Sequence, residues 1–136
     1  MRITVEGISG SAYRLAIGEH TLVTDQPAAA GGEDLGPTPT DLFVAGLASC
    51  VAFYAGRFLQ RRGLAQEAVR VVCDYHLTHS QPARVDSIRL TVELPPGLPA
   101  DLRAAALRAA KHCTVHNSLR EPPEVTITLS VEEAAA

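Results

Sequence analysis

Between Leu42 and Ala55 the chain reads Leu-Phe-Val-Ala-Gly-Leu-Ala-Ser-Cys-Val-Ala-Phe-Tyr-Ala, without one charged side chain. A helix built from this stretch has no polar face to offer water and must be covered on all sides. The chain has 136 residues, enough for one domain with a real core and too few for two ordinary ones. Surrounding a fully apolar helix is difficult for a domain of that size, so the stretch points to a partner subunit that supplies part of the cover. The run is about 14 residues long, short of the roughly 20 that a membrane helix needs. It predicts a helix buried in protein, with no membrane association.

The flanks of this stretch carry strong punctuation. In Gly36-Pro-Thr-Pro-Thr-Asp41, Thr38 suits the N-cap, Pro39 the first helical position, and Asp41 completes a capping box. The helix is expected to run from there to about Arg62, with Gly63 as its stop. Ala45, Gly46, Ala48, Ser49 and Ala52 fill its centre and let other backbones approach closely. Upstream, Ile3 and Val5, then Tyr13, Leu15 and Ile17, alternate at period two. With Gly7, Gly10 and Gly18 between them they predict a meander, Gly18-Glu19 as a tight turn and Thr21–Thr24 as a third strand. The Ala-, Gly- and Pro-rich segment Asp25–Pro37 is a loop.

Downstream, Val69, Val71, Cys73, Tyr75 and Leu77 share one strand face, and Ile88, Leu90, Val92 and Leu94 another. Pro95-Pro-Gly97 breaks the second strand. Pro99–His112 reads as an Ala-rich helix with Leu102, Ala106 and Ala109 on the face of Cys113. Thr114–Arg120 adds a helical turn or two. Val125, Ile127, Leu129 and Val131 form a last strand, and Glu132–Ala136 a frayed tail. This order gives an α+β fold, mostly antiparallel, with helices packed on sheets, in a single domain spanning 1–136.

The formal net charge of −3 and the absence of Trp leave no footprint for nucleic acid. The start, Met-Arg-Ile-Thr-Val-Glu, lacks the apolar core of a signal peptide. Three cysteines, an odd number, argue against a disulfide-stapled extracellular fold. A reducing, cytoplasmic setting is expected.

Chemistry rests with the cysteines. Cys50 sits inside the apolar helix, sharing its face with Phe43, Gly46, Leu47, Phe53, Tyr54 and Arg57. It reads either as a small core hydrophobe or as a nucleophile, the second requiring a cation such as Arg57 or Arg14 to favour the thiolate. Cys113 closes one helix and precedes another, whose first amides favour a thiolate; the plain alternative is packing. Cys73 lies on a core strand face and reads as structural. About sixty residues separate Cys50 from Cys113, so any pairing is tertiary and not legible from spacing. Two clusters invite a metal reading. In Cys73-x-x-His76-x-x-His79 a strand would turn His76 away from the other two. His112-Cys113-x-x-His116 has no second set at zinc spacing. No metal is expected, and His20 reads as a turn residue.

Gly36–Cys50 resembles the first signature of the OsmC/Ohr family, the osmotically inducible protein C and organic hydroperoxide resistance proteins. Cys113-Thr-Val-His-Asn-Ser-Leu119 is similar to its second signature, and the element order and length agree along essentially the whole chain. The resemblance implies an OsmC-like fold around a long central helix, an intertwined homodimer with sites at the subunit interface, and a stress-response thiol peroxidase. In that frame Cys50 matches the peroxidatic cysteine and Cys113 the resolving one. An arginine from the N-terminal strands, Arg14 with Arg2 second, matches the group that stabilises the thiolate. Where the hydroperoxide-resistance branch has Glu, this chain has Thr40; Asp41 follows, where other OsmC-like proteins often carry an acid. The family often has Pro after the second cysteine, and here Thr114 stands there. These departures point to the broader OsmC-like group. The implied reaction takes an organic hydroperoxide and a dithiol reductant and needs no cofactor, neither metal nor flavin. A rival of another class is a non-enzymatic dimer of the same fold holding a small apolar ligand. Thr40 favours that rival; the Cys113 motif favours the enzyme.

Overall fold

The computed structural model describes residues 1–134. Three strands open it, β1 (Ile3–Ser9), β2 (Ala12–Ile17) and β3 (His20–Thr24), in an antiparallel sheet of order β1-β2-β3. The register pairs Ile3 with Ile17 and Ile17 with His20. Gly10 and Gly18 make the turns at φ 53° and 59°, a region where side chains with a Cβ are strained. Ile3, Val5, Tyr13 and Leu22 remain exposed on this sheet.

The loop that follows is organised by one carboxylate. Asp25 is 1% exposed. It accepts hydrogen bonds from Ser11 Oγ at 2.6 Å, from the Gln26 amide at 2.7 Å, and from the amides of Glu33 and Leu35 at 3.1 and 3.2 Å. The loop wraps so closely that a Cβ on Gly32 would lie 1.9 Å from the Gln26 carbonyl oxygen, and one on Gly36 2.1 Å from that of Val23. The Ser11 hydroxyl, helped by the three amides and against burial, lowers the Asp25 pKa from 3.8 to about 2. A folded-state pKa below the unfolded one gives stability that is complete above the unfolded value and lost as pH falls through the folded one. Chemical denaturation between pH 7 and pH 2 is expected to show that loss between about pH 4 and 2. Asp25→Asn should be less stable at neutral pH and lack this part of the acid limb.

α1 (Pro39–Gln60) starts as its sequence predicts. The Asp41 amide donates to Thr38 Oγ1 at 3.1 Å, and the Thr38 amide to Asp41 Oδ2 at 3.0 Å, a complete capping box. Gly63, at φ 73°, turns the chain after the last helical residues. Val44, Leu47, Val51, Ala55 and Leu59, at three- and four-residue spacing, form its buried stripe. Phe43 and Phe53 are 44% and 49% exposed on other faces. At 22 residues α1 is long and apolar enough to cross a bilayer by length and composition, more than the apolar run suggested. Its packed stripe makes it instead the core helix of the fold.

β4 (Arg70–Leu77) and β5 (Val85–Glu93) form an antiparallel pair, with Cys73 opposite Leu90 and Tyr75 opposite Ile88. α2 (Ala100–Ala110) and α3 (Thr114–Arg120) follow. Leu47, Val51, Ala55, Ala110 and Cys113 make the buried cluster, and Val69, Val71, Ile88, Leu90 and Val92 pack against it. The fold is therefore α+β with antiparallel sheets and a long central helix.

Three expectations change. The segment containing Val125, Ile127, Leu129 and Val131 forms no strand; these side chains are 76% to 92% exposed. Alternation marks a half-covered strand, but a strand also needs a neighbour for its amides, and nothing among the described residues provides one. On α2 the buried positions are Ala106 and Ala110 rather than Ala109, because these continue the stripe to Cys113. His76 and His79 do not diverge. β4 ends at Leu77 after a register shift, so His79 leaves the strand and its ring sits edge-on to His76 at 5.7 Å. Of the expected tail Glu132–Ala136, Ala135 and Ala136 lie outside the described residues.

Candidate functional site

Cys50 and Cys113 come together where α1 crosses the α2–α3 corner. Cys50 is half-buried on α1, at the edge of the cluster that contains the fully buried Cys113. Both are free thiols in an apolar setting of Leu47, Val51 and Tyr54 from α1 and Val115 from α3. Cys113 is the N-cap of α3, and its Sγ accepts the His116 amide at 3.4 Å. Burial pushes the Cys113 thiol up, and the neighbouring Cys50 thiol pushes it further. The amides of His116 and Val115 pull the other way. The helix start expected to acidify Cys113 is present, but desolvation outweighs it.

Asp41 is more than a cap. Its second oxygen, Oδ1, accepts the Tyr75 hydroxyl from β4. Tyr75, followed by the Thr38 amide, holds the Asp41 carboxyl below its usual range, and Asp41 in turn raises the Tyr75 phenol. This pair ties the start of α1 to the sheet. Thr40 is half-buried beside it, and no side-chain hydrogen bond of Thr40 occurs among the described residues. Arg14 is exposed on β2, paired in register with Glu6 and Val23. α1 packs chiefly against α2, α3, β4 and β5, and among the described residues Arg14 makes no side-chain hydrogen bond or ion pair.

Cys73 is half-buried on β4, and its thiol is pushed up by burial and then by Asp74. His76 Nδ1 lies 2.7 Å from Asp86 Oδ1. No group of three or more metal-ligating side chains occurs among the described residues. An apolar groove of about 490 Å³ runs beside the thiols, lined among others by Phe43, Leu47, Val51, Ile88, Leu107 and His116. Neither Cys50 nor Cys113 lines it.

Two partnerships escape sequence reasoning. Tyr75 reads only as a strand-face residue, and Tyr54 only as an apolar neighbour of Cys50. Yet Tyr54 Oη lies 3.1 Å from Thr114 Oγ1, sixty residues away. Spacing carries no signal for either contact.

A long capped helix that brings two free thiols together against a two-stranded sheet defines an OsmC-type fold. The OsmC-like protein family model matches residues 31–128, and the chain belongs to that family. Solved structures share the fold at low identity. A Psychrobacter arcticus protein assigned to the osmotic stress and detoxification response is 19% identical over 85% of each chain, with a TM-score of 0.77. OhrB of Bacillus subtilis, an organic hydroperoxide resistance protein, is 21% identical over 89% of this chain and 90% of its own, at 0.63. An organic hydroperoxide resistance protein OsmC from Legionella pneumophila is 22% identical over 88% of each, at 0.59. No curated protein matches the sequence.

Proposed function

We propose that this chain is a cytoplasmic thiol peroxidase that reduces organic hydroperoxides, working as a homodimer of a single OsmC-like domain over residues 1–136. The observation that carries the reading is the meeting of Cys50 and Cys113 in one apolar site. Family membership and the hydroperoxide-resistance relatives support the peroxide chemistry.

The Cys50 thiolate attacks the distal peroxide oxygen. The O–O bond breaks, the alkoxide leaves and takes up a proton as an alcohol, and Cys50 becomes a sulfenic acid. Cys113 then attacks the Cys50 sulfur, the S–O bond breaks, and water leaves as the disulfide forms. A dithiol reductant restores both thiols by exchange. The Cys113 geometry suits this order. Burial first and the Cys50 thiol second raise the Cys113 thiol, and conversion of Cys50 to a sulfenic acid removes the second of these at the step in which Cys113 must attack.

A thiolate in apolar surroundings needs a cation to offset its desolvation. Arg14 takes that role in this reading, brought to the site by subunit assembly. Thr40 stands at the acid position of the hydroperoxide-resistance branch in this reading, and Asp41 follows it. Thr40 can hydrogen-bond the arginine but cannot hold it by charge. Arg14→Ala is expected to slow single-turnover oxidation of Cys50 by tenfold or more, on the order of the loss of one charge-assisted contact. Thr40→Glu should raise it. Stopped-flow comparison of cumene hydroperoxide with hydrogen peroxide checks both, and an unchanged rate in Arg14→Ala rules this arginine out.

The direct test of the function is peptide mass spectrometry after one equivalent of organic hydroperoxide. A Cys50–Cys113 link supports the reading; unmodified Cys50 overturns it. The groove of about 490 Å³ that excludes both thiols favours a second reading, a non-enzymatic dimer holding a small apolar ligand. In that case a ligand binds equally well to Cys50→Ser.

A further inference from the structure

We infer that Tyr54 and Thr114 form a latch that holds Cys113 within reach of Cys50, making both positioning residues for the disulfide step. The inference rests on the two-cysteine reading above and names what sets its geometry.

Tyr54 lies one helical turn after Cys50 on α1, so both project over the same strip of helix surface. Thr114 is the residue directly after Cys113 and the first of α3. Their hydroxyls meet at 3.1 Å. The contact therefore bridges the two chain segments that carry the thiols, one residue from Cys113 and one turn from Cys50. The Tyr54 ring is itself held, edge-on to Phe53 at 5.3 Å between centroids.

The geometry of a disulfide makes this matter. The two Cα atoms must lie within about 7 Å and the sulfurs must approach along a narrow torsional path. α3 is only seven residues long, and so short a helix has little stability of its own. Its start is placed by its ends. On the Cys113 side one tether is Sγ itself, which accepts the His116 amide. That sulfur is also the atom that must move to attack Cys50, so it cannot both anchor the helix and travel freely. The Tyr54–Thr114 hydrogen bond leaves the sulfur free and still fixes the backbone beside it.

The test measures disulfide formation without and with peroxide. In glutathione redox buffers the Cys50 and Cys113 thiols reduce glutathione disulfide to two glutathiones and form their own disulfide. The equilibrium reports the effective concentration of one thiol at the other. Tyr54→Phe and Thr114→Val each remove one hydroxyl and are expected to lower that concentration about five- to tenfold. Thr114→Ser keeps the hydroxyl and should restore it. Wild-type values in both Tyr54→Phe and Thr114→Val overturn the latch, as does a wild-type protein that forms no Cys50–Cys113 disulfide in the buffer. With cumene hydroperoxide, the ratio of disulfide to dimedone-trapped sulfenic acid should fall in the same two variants and recover in Thr114→Ser. If the buffer arm behaves as expected and peroxide leaves Cys50 untouched, the latch stands and the peroxidase reading falls.

Discussion

Cys50→Ser is expected to abolish consumption of organic hydroperoxide, with the rate falling by roughly a thousandfold or more, as when a nucleophile that acts with its partner as a unit is lost. Cys113→Ser should give a different outcome. One oxidation equivalent should still be consumed, with a sulfenic acid accumulating at Cys50, trappable by dimedone. Cys73→Ser is expected to turn over near the wild-type rate, because Cys73 is half-buried on β4 and belongs to neither the buried cluster nor the side chains packed against it. Steady-state assays with a dithiol reductant, together with intact-mass analysis, separate the three. If Cys73→Ser were the variant that stopped turnover, the assignment of both site cysteines would be wrong.

Sedimentation of the chain at micromolar concentration is expected to give a species of twice 14.4 kDa, with no folded monomer. The surfaces of the isolated chain argue for this. Phe43 and Phe53 stand exposed on the central helix, and Ile3, Val5, Tyr13 and Leu22 on the first sheet. Val125, Ile127, Leu129 and Val131 alternate along a segment that pairs with no strand among the described residues. A monomer seldom leaves so much apolar surface in water. An interface that covers these features would exceed the roughly 2,000 Å² of ordinary complexes. Phe53→Asp places a charge on the outer face of α1 and should shift the population to smaller or unfolded species. A stable folded monomer of the unaltered chain would end the assembly proposal.

Much of the architecture is local and therefore legible. Thr38, Pro39 and Asp41 announce the start of α1 because a capping box lies within four residues. The glycines at 10 and 18 announce the turns of the meander because their φ values exclude most other residues. The strand faces of β4 and β5 follow from alternation. The failures are all cases where a second surface decides. Alternation over Val125–Val131 states which side wants cover but not where the cover comes from. His76 and His79 meet because His79 lies beyond the end of β4 at Leu77, where strand alternation no longer applies. The helix start at Cys113 argues for an acidic thiol, and burial by α1 reverses it. In the site, the family signatures led to both cysteines. The bonds from Tyr54 to Thr114 and from Tyr75 to Asp41 join residues far apart in the chain, so no spacing could disclose them.

The segment between β3 and α1 has the composition of a loop that evolution lengthens and shortens freely. Its actual construction forbids that. Three of its backbone amides and one serine from the preceding sheet converge on the two oxygens of Asp25, and two of its glycines lie against carbonyls with no room for a methyl group. One residue inserted between Gln26 and Leu35 would carry at least one amide off the carboxylate, and the entry of α1 would move with it. The length of this loop is therefore part of what places the start of the central helix. Graftable variation belongs instead to the β4–β5 turn, where Ser80–Arg84 stand exposed and hold no other element in place.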